Sequence, residues 1–197
     1  MTIEHTDGIT RVLYAGASLV STDWDGKIHV QGPNEASYSL PAPILDAVSL
    51  DDKIVAGCLD NSIHSISLES ETKTVIGHAN GSVKCLAASS PSTIYAGTWA
   101  KELSAWDLRD SAKCVQKVEL PQKVFSMDIH ENTLLVAMSN RLIYLYDRRN
   151  LDKPLQVGLI QLISIFIYFS GKREFSQVHD AMCSIHAEWP GYSSSLT

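Results

Sequence analysis

Two sets of residues in this 197-residue chain could do chemistry by type alone. His78, Ser104 and Asp107 are the residue types of a base, a nucleophile and an orienting carboxylate, which act together only where a sharp glycine-flanked elbow presents the serine. No such elbow is written here. Gly57-Cys58 and Gly97-Thr98 sit inside apolar strand patterns and recur with a fixed period, as packing glycines do, and no glycine-rich loop cradles a phosphate. His179, Cys183 and His186 make an H-x3-C-x2-H group of soft ligands that lacks the fourth partner of a closed zinc site. The chain is therefore expected to be a non-enzyme without metal or cofactor.

Composition narrows the classes further. With 16 basic and 22 acidic residues the net charge is −6 and the pI about 5.6, which argues against a direct nucleic-acid partner. Apolar residues reach 45% and charged ones only 19%, the balance of a globular chain with much buried sheet. The start, Met1-Thr2-Ile3-Glu4-His5-Thr6-Asp7, lacks the basic and apolar regions of a secretory signal, and the four cysteines show no paired spacing. A nuclear or cytoplasmic protein with reduced thiols is expected.

The elements that would position any site come from a repeat. Leu19-Val20-Ser21-Thr22-Asp23-Trp24-Asp25-Gly26, Ile54-Val55-Ala56-Gly57-Cys58-Leu59-Asp60-Asn61, Ile94-Tyr95-Ala96-Gly97-Thr98-Trp99-Ala100-Lys101 and Leu135-Val136-Ala137-Met138-Ser139-Asn140-Arg141 are four versions of one phrase. A small, alternating strand runs into a polar turn in each. Asp25, Asp60, Ala100 and Asn140 mark matched places 35, 40 and 40 residues apart, and a period of about 40 residues built of short strands is that of propeller blades. The third copy divides into four strands, near 82–87, 94–98, 103–107 and 114–118, with Ser90-Pro91-Ser92 and Arg109-Asp110-Ser111 as turns. The fold class is thus all-β, an incomplete propeller ring of about four blades over 7–41, 42–76, 77–119 and 120–156.

Gly77-His78 before the third copy and Trp106-Asp107 at the end of its third strand make the chain resemble the WD-repeat family. The resemblance implies a hydrogen-bonded tetrad in which His78, Thr98 and Trp106 fill three places, with Ala100 where the family has aspartate. Asp25 and Asp60 hold that aspartate place in the first two copies, and Tyr146-Asp147 stands for Trp-Asp in the fourth. Thr98-Trp99, Leu120-Pro121-Gln122-Lys123-Val124-Phe125 and Tyr146-Asp147-Arg148-Arg149-Asn150-Leu151 look like the subgroup of the mitotic spindle checkpoint, of the "budding uninhibited by benzimidazole" class. A related subgroup, the messenger-RNA export factor at the nuclear pore, shares the third-copy pattern. The resemblance covers residues 7 to 156.

The residue before each turn marker is Trp24, Leu59, Trp99 or Ser139, and at the turns of adjacent blades the first three would form an exposed apolar arc. By resemblance this arc grips a short peptide motif of checkpoint kinases at kinetochores, or a nucleoporin segment in the export relative. That implies a nuclear and kinetochore location with a cytoplasmic pool. Lys101, Arg141 and Arg148 lie near turns and read as solvated edge residues.

After Gln156 the repeat pattern gives way to Val157-Gly158-Leu159-Ile160 and an uncharged run to Phe169, shorter than the roughly 20 residues of a membrane-spanning helix. Residues 157–197 therefore read as a tail foreign to the family, written by a retained intron, an alternative splice or a gene-model error. Valine codons begin with GT, the first bases of an intron, and fit that reading; a membrane-tethered or non-functional truncation product is its other outcome. Complementary-DNA sequencing across the codons for Gln156 and Val157 should find most transcripts continuing into charged, blade-like sequence. A spliced transcript entering this same tail would remove the reading.

Overall fold

The computed structural model describes residues 5–33, 35–89, 92–109 and 113–159. The H-x3-C-x2-H group and residues 160–197 lie outside them. Among the described residues no helix is long and apolar enough to cross a membrane.

Among the described residues, sixteen strands form four separate antiparallel meanders. The first sheet is β1 (Ile9–Ala15), β2 (Ser18–Asp23), β3 (Lys27–Gln31) and β4 (Ala36–Ser39). The second is β5 (Ile44–Leu50), β6 (Lys53–Cys58), β7 (Ser62–Ser67) and β8 (Lys73–His78). The third is β9 (Val83–Ser89), β10 (Thr93–Thr98), β11 (Glu102–Asp107) and β12 (Lys113–Glu119). The fourth is β13 (Val124–His130), β14 (Thr133–Met138), β15 (Leu142–Asp147) and β16 (Gln156–Leu159). The first strands β1, β5, β9 and β13 pack in succession as the inner wall, and among the described residues no comparable contact joins the fourth sheet to the first. The result is an open run of four propeller blades.

Two boundaries differ from those read in the sequence. Gly77 and His78 end β8 of the second blade instead of opening the third. At the other end, Val157, Gly158 and Leu159 continue β16, pairing with Tyr144, Ile143 and Leu142. Uncharged, partly β-branched residues suit an outer strand whatever their origin, so composition alone did not mark where the blade stops.

The turns explain the period. The residue after each marker has a left-handed backbone: Gly26 (φ 77), Asn61 (φ 76), Lys101 (φ 63) and Arg141 (φ 64). Glycine and asparagine adopt this readily, lysine and arginine at a cost. Register then fixes the faces. Leu19 opposes Gln31, Ile54 opposes Ile66, Ile94 opposes Trp106 and Leu134 opposes Tyr146, so each pair holds the same place in its blade. In the last three blades these pairs pack onto the preceding blade.

Blades touch through glycine notches. A Cβ on Gly57 would meet Val83 Cγ1 at 2.5 Å, and one on Gly97 would meet Val124 Cγ1 at 2.6 Å. Val83 and Val124 each open the inner strand of the following blade and are fully buried. Gly77 admits the Trp106 ring in the same way, its would-be Cβ lying 2.5 Å from Cζ3. Gly97→Ala must therefore push apart the third and fourth blades, where Cys85 Sγ at 2.9 Å blocks retreat on the other side. Denaturant unfolding of that variant should show a loss of about 1–3 kcal/mol.

Candidate peptide-binding rim

One backbone bond repeats in every blade and defines the rim. Trp24 N–H donates to Gly8 O at 3.1 Å, Leu59 to Pro43 O at 2.9 Å, Trp99 to Ser82 O at 3.1 Å and Ser139 to Lys123 O at 2.9 Å. These four residues are therefore structurally equivalent, each directly following a second strand, beside the entry to its blade's first. A second series ties the same end: Leu40 N–H to Gly26 O, Ala79 to Asn61 O and Leu120 to Lys101 O. Ser82 Oγ donates across blades to Leu59 O at 2.8 Å, linking two neighbouring positions.

Trp24 is 42% exposed and Leu59 37%, while Trp99 is half-buried with its indole N–H sheltered and unpaired among the described residues. Phe125 adds a fourth large apolar group, 37% exposed, near the same end. In the sequence it belongs only to the Leu120–Phe125 motif. Each inner strand carries a β-bulge at this end, skipping Thr10, Leu45, Lys84 and Phe125 in the four blades, and a bulge re-aims the side chain it skips. A bulge leaves no mark on period-two alternation as short as this, so the sequence offered no direct signal.

The basic candidates divide. Lys101 and Arg141 are exposed in the rim turns. Arg148 lies at the opposite end, where its side chain bonds Asn132 Oδ1 at 3.3 Å and Ser89 Oγ and its carbonyl accepts from Tyr95 OH at 2.7 Å.

The tetrad implied by resemblance is not assembled in the third blade. Trp106 Nε1 donates to Ser104 Oγ at 3.0 Å, Thr98 Oγ1 accepts from Glu102 N–H at 3.0 Å, and His78 is exposed. Ala100 offers no carboxylate to hold the imidazole, which stands instead near Asp60 of the second blade. A comparable network forms instead in the first blade, on residues that sequence reading passed over. His5 Nδ1 lies 2.9 Å from Asp23 Oδ2 and His5 Nε2 lies 2.8 Å from Ser21 Oγ. Asp25, expected in the structural place, is exposed and meets Thr6 and Lys27; the buried carboxylate is Asp23, which also caps the turn by accepting Lys27 N–H at 2.8 Å. The signal was there: His5-Thr6-Asp7-Gly8 parallels His78-Ala79-Asn80-Gly81.

The remaining aspartates close local turns. Asp60 accepts Ser62 N–H at 3.1 Å, Asp107 accepts Arg109 N–H at 3.1 Å and Asp147 accepts Arg149 N–H at 2.9 Å, each two residues on. Hydrogen bonds from the Arg109 side chain and backbone hold the Asp107 carboxyl down at about 2. Tyr146 is buried against the third blade, and burial pushes its phenol up to about 12. Burial likewise raises the Cys58 thiol to about 11, as for a packing group.

No protein-family model matches the chain. The spindle assembly checkpoint protein bub3 of Schizosaccharomyces pombe is 28% identical over 160 residues, covering 76% of this chain and 50% of that protein. The mRNA export factor rae-1 of Caenorhabditis elegans is 29% identical over 146 residues, covering 67% of this chain and 39% of that protein. The chain is a homologue of both. It thus spans about half or less of the length of these relatives. The computationally designed Ika4 protein shares the fold, with TM-score 0.66 at 14% identity, over 73% of this chain and 93% of its own. The described residues form an all-β run of four WD40 propeller blades.

Burial lowers the basicity of His64, overcoming the attraction of Asp60, and likewise that of His29, so both stay neutral below the ordinary value of 6.5. At these two sites the unfolded chain then binds more protons than the folded one, so their contribution lowers stability as pH drops below about 6.5. Asp46, raised by burial, pulls the other way, so the diagnostic is a difference. In His64→Gln the loss of stability between neutral and mildly acidic pH should be smaller than in the parent, measured by denaturant unfolding at each pH.

Proposed function

We propose that the protein is a non-enzymatic scaffold of the mitotic spindle assembly checkpoint. Its rim binds a short peptide motif of checkpoint kinases at kinetochores during cell division. The observation that carries this is the repeated backbone bond that puts Trp24, Leu59 and Trp99 at one equivalent place on three successive blades, with apolar surface turned to solvent. Two tryptophans and a leucine on a rigid rim supply large contact area at little entropic cost, as binding hot spots do. The unpaired indole N–H of Trp99 lets that ring turn toward a ligand without giving up a hydrogen bond. Homology to a protein named for the spindle checkpoint supports the cellular role. In this role the protein works in the nucleus and at kinetochores, with a cytoplasmic pool.

Homology to an mRNA export factor favours a second reading, in which the same rim takes a nucleoporin segment. The two separate by ligand: fluorescent peptides from checkpoint kinases and from nucleoporins, titrated against the whole chain, should rank the kinase peptide first. Trp99→Ala should weaken that binding by about 2 kcal/mol or more, roughly 30-fold. Unchanged affinity in the variant would remove the rim from the reading, and a preference for the nucleoporin peptide would choose the second.

A further inference from the structure

The network at the head of the first blade contains more than a structural tie requires. His5, Ser21 and Asp23 already satisfy one another, as a tetrad does. A fourth member, His29, stands across from Ser21 in the sheet, its ring edge-on to His5 with centroids 4.7 Å apart. Its Nε2 is buried and has no hydrogen-bond partner among the described residues. A buried, unpaired imidazole nitrogen costs stability unless something meets it. One ligand atom each of His5, Asp23 and His29 lies within 4.8 Å of the others.

From this geometry we infer that His5, Asp23 and His29 form a binding site for a divalent transition-metal ion of the zinc class. Two imidazoles and one carboxylate are the donor set of an open three-ligand zinc site, with the fourth position left to water. His5 coordinates through Nδ1, because Nε2 is held by Ser21; Asp23 coordinates through Oδ2, because Oδ1 is held by the Lys27 amide. These two bonds are the outer-shell contacts that orient a ligating histidine and carboxylate, and they stand in place already. The free His29 Nε2 completes the set. Ligand atoms on one tetrahedral zinc sit roughly 3.3 Å apart, so closure needs side-chain movement of an ångström or two. Asp23 is fully buried and His5 nearly so, while His29 is half-exposed and opens the route to solvent.

The position suits such an ion. The second blade packs on the face of the first that carries Val20, Ile28 and Val30. Ser21, Asp23 and His29 alternate to the other face, where the matched places of later blades hold Ala56, Cys58 and His64, or Ala96, Thr98 and Ser104. Among the described residues it is this set that brings ligand atoms of two histidines and a carboxylate within 4.8 Å of one another. The pairing of strands β2 and β3 at Ser21 and His29 would then be clamped by the ion.

The test titrates Zn²⁺ into the chelator-treated whole chain, with Co²⁺ as the spectroscopic probe. One ion per chain is expected, giving cobalt d–d absorption without a thiolate charge-transfer band and raising the melting temperature. His29→Gln, which leaves the His5–Asp23 tie intact, should weaken binding at least tenfold and abolish the thermal shift while the circular dichroism is unchanged. Ser21→Ala, an outer-shell change, should cost about tenfold. Affinity should fall as pH is lowered through the imidazole range, as protons displace the ion. Absence of binding, equal affinity in His29→Gln, or a thiolate band that places the ion on a cysteine would each overturn the assignment.

Discussion

Every blade in this chain depends on a neighbour, because a four-stranded sheet with apolar side chains on both faces cannot bury them alone. The packing of Val83 over Gly57 and of Val124 over Gly97 is where that dependence becomes geometric. A glycine opens a notch in the second strand of one blade, a valine from the inner strand of the next fills it, and the two sheets approach closely enough to share one core. At interior packing densities a single added methyl has nowhere to go. The rim, the turns and the inner wall all inherit their spacing from this contact.

Polar groups are then fitted into a frame set by apolar ones. Asp46 on β5 shows how: its carboxylate accepts the Leu86 amide of the third blade at 2.8 Å and the Ala47 amide at 2.9 Å, and faces Arg11 of the first blade at 3.4 Å. One buried acid thus bridges three consecutive blades. Glu102 does similar service within the third, accepting Asn80 N–H at 3.2 Å and meeting Lys117, whose ammonium lies 5.9 Å from the centre of the Trp106 ring. The rim can carry exposed Trp24 and Leu59 because the strands beneath them are held on both sides by such contacts.

Much of this was legible in the sequence. The period, the four-stranded meander and the turn markers could be read because left-handed turn residues and small strand residues recur at fixed places, and the placement of Trp24, Leu59 and Trp99 followed from the period alone. What escaped were features that break equivalence between blades. Asp23 and Asp25 are two residues apart, and nothing in alternation says which carboxylate is buried; the decision is made by His5, eighteen residues earlier. Phe125 was hidden by a bulge. His78 carries the motif yet stays exposed and outside any tetrad, because the function of a motif residue lies in its partner and that partner's place holds Ala100. Val157, Gly158 and Leu159 pair in β16 although the repeat pattern reads as ending at Gln156, because strand propensity does not record ancestry.

An open run of blades has a mechanical consequence. The second and third blades are packed on both faces, whereas the first and fourth share a core with one neighbour among the described residues. In a linear array of this kind cooperativity is nearest-neighbour, and rigidity is highest in the middle and declines toward either end. Leu59 and Trp99 stand on the two inner blades, and Trp24 on an outer one. A ligand laid along the rim would meet stiff ground at its centre and a more yielding support at the first blade, so that seating it there would also brace the blade it touches.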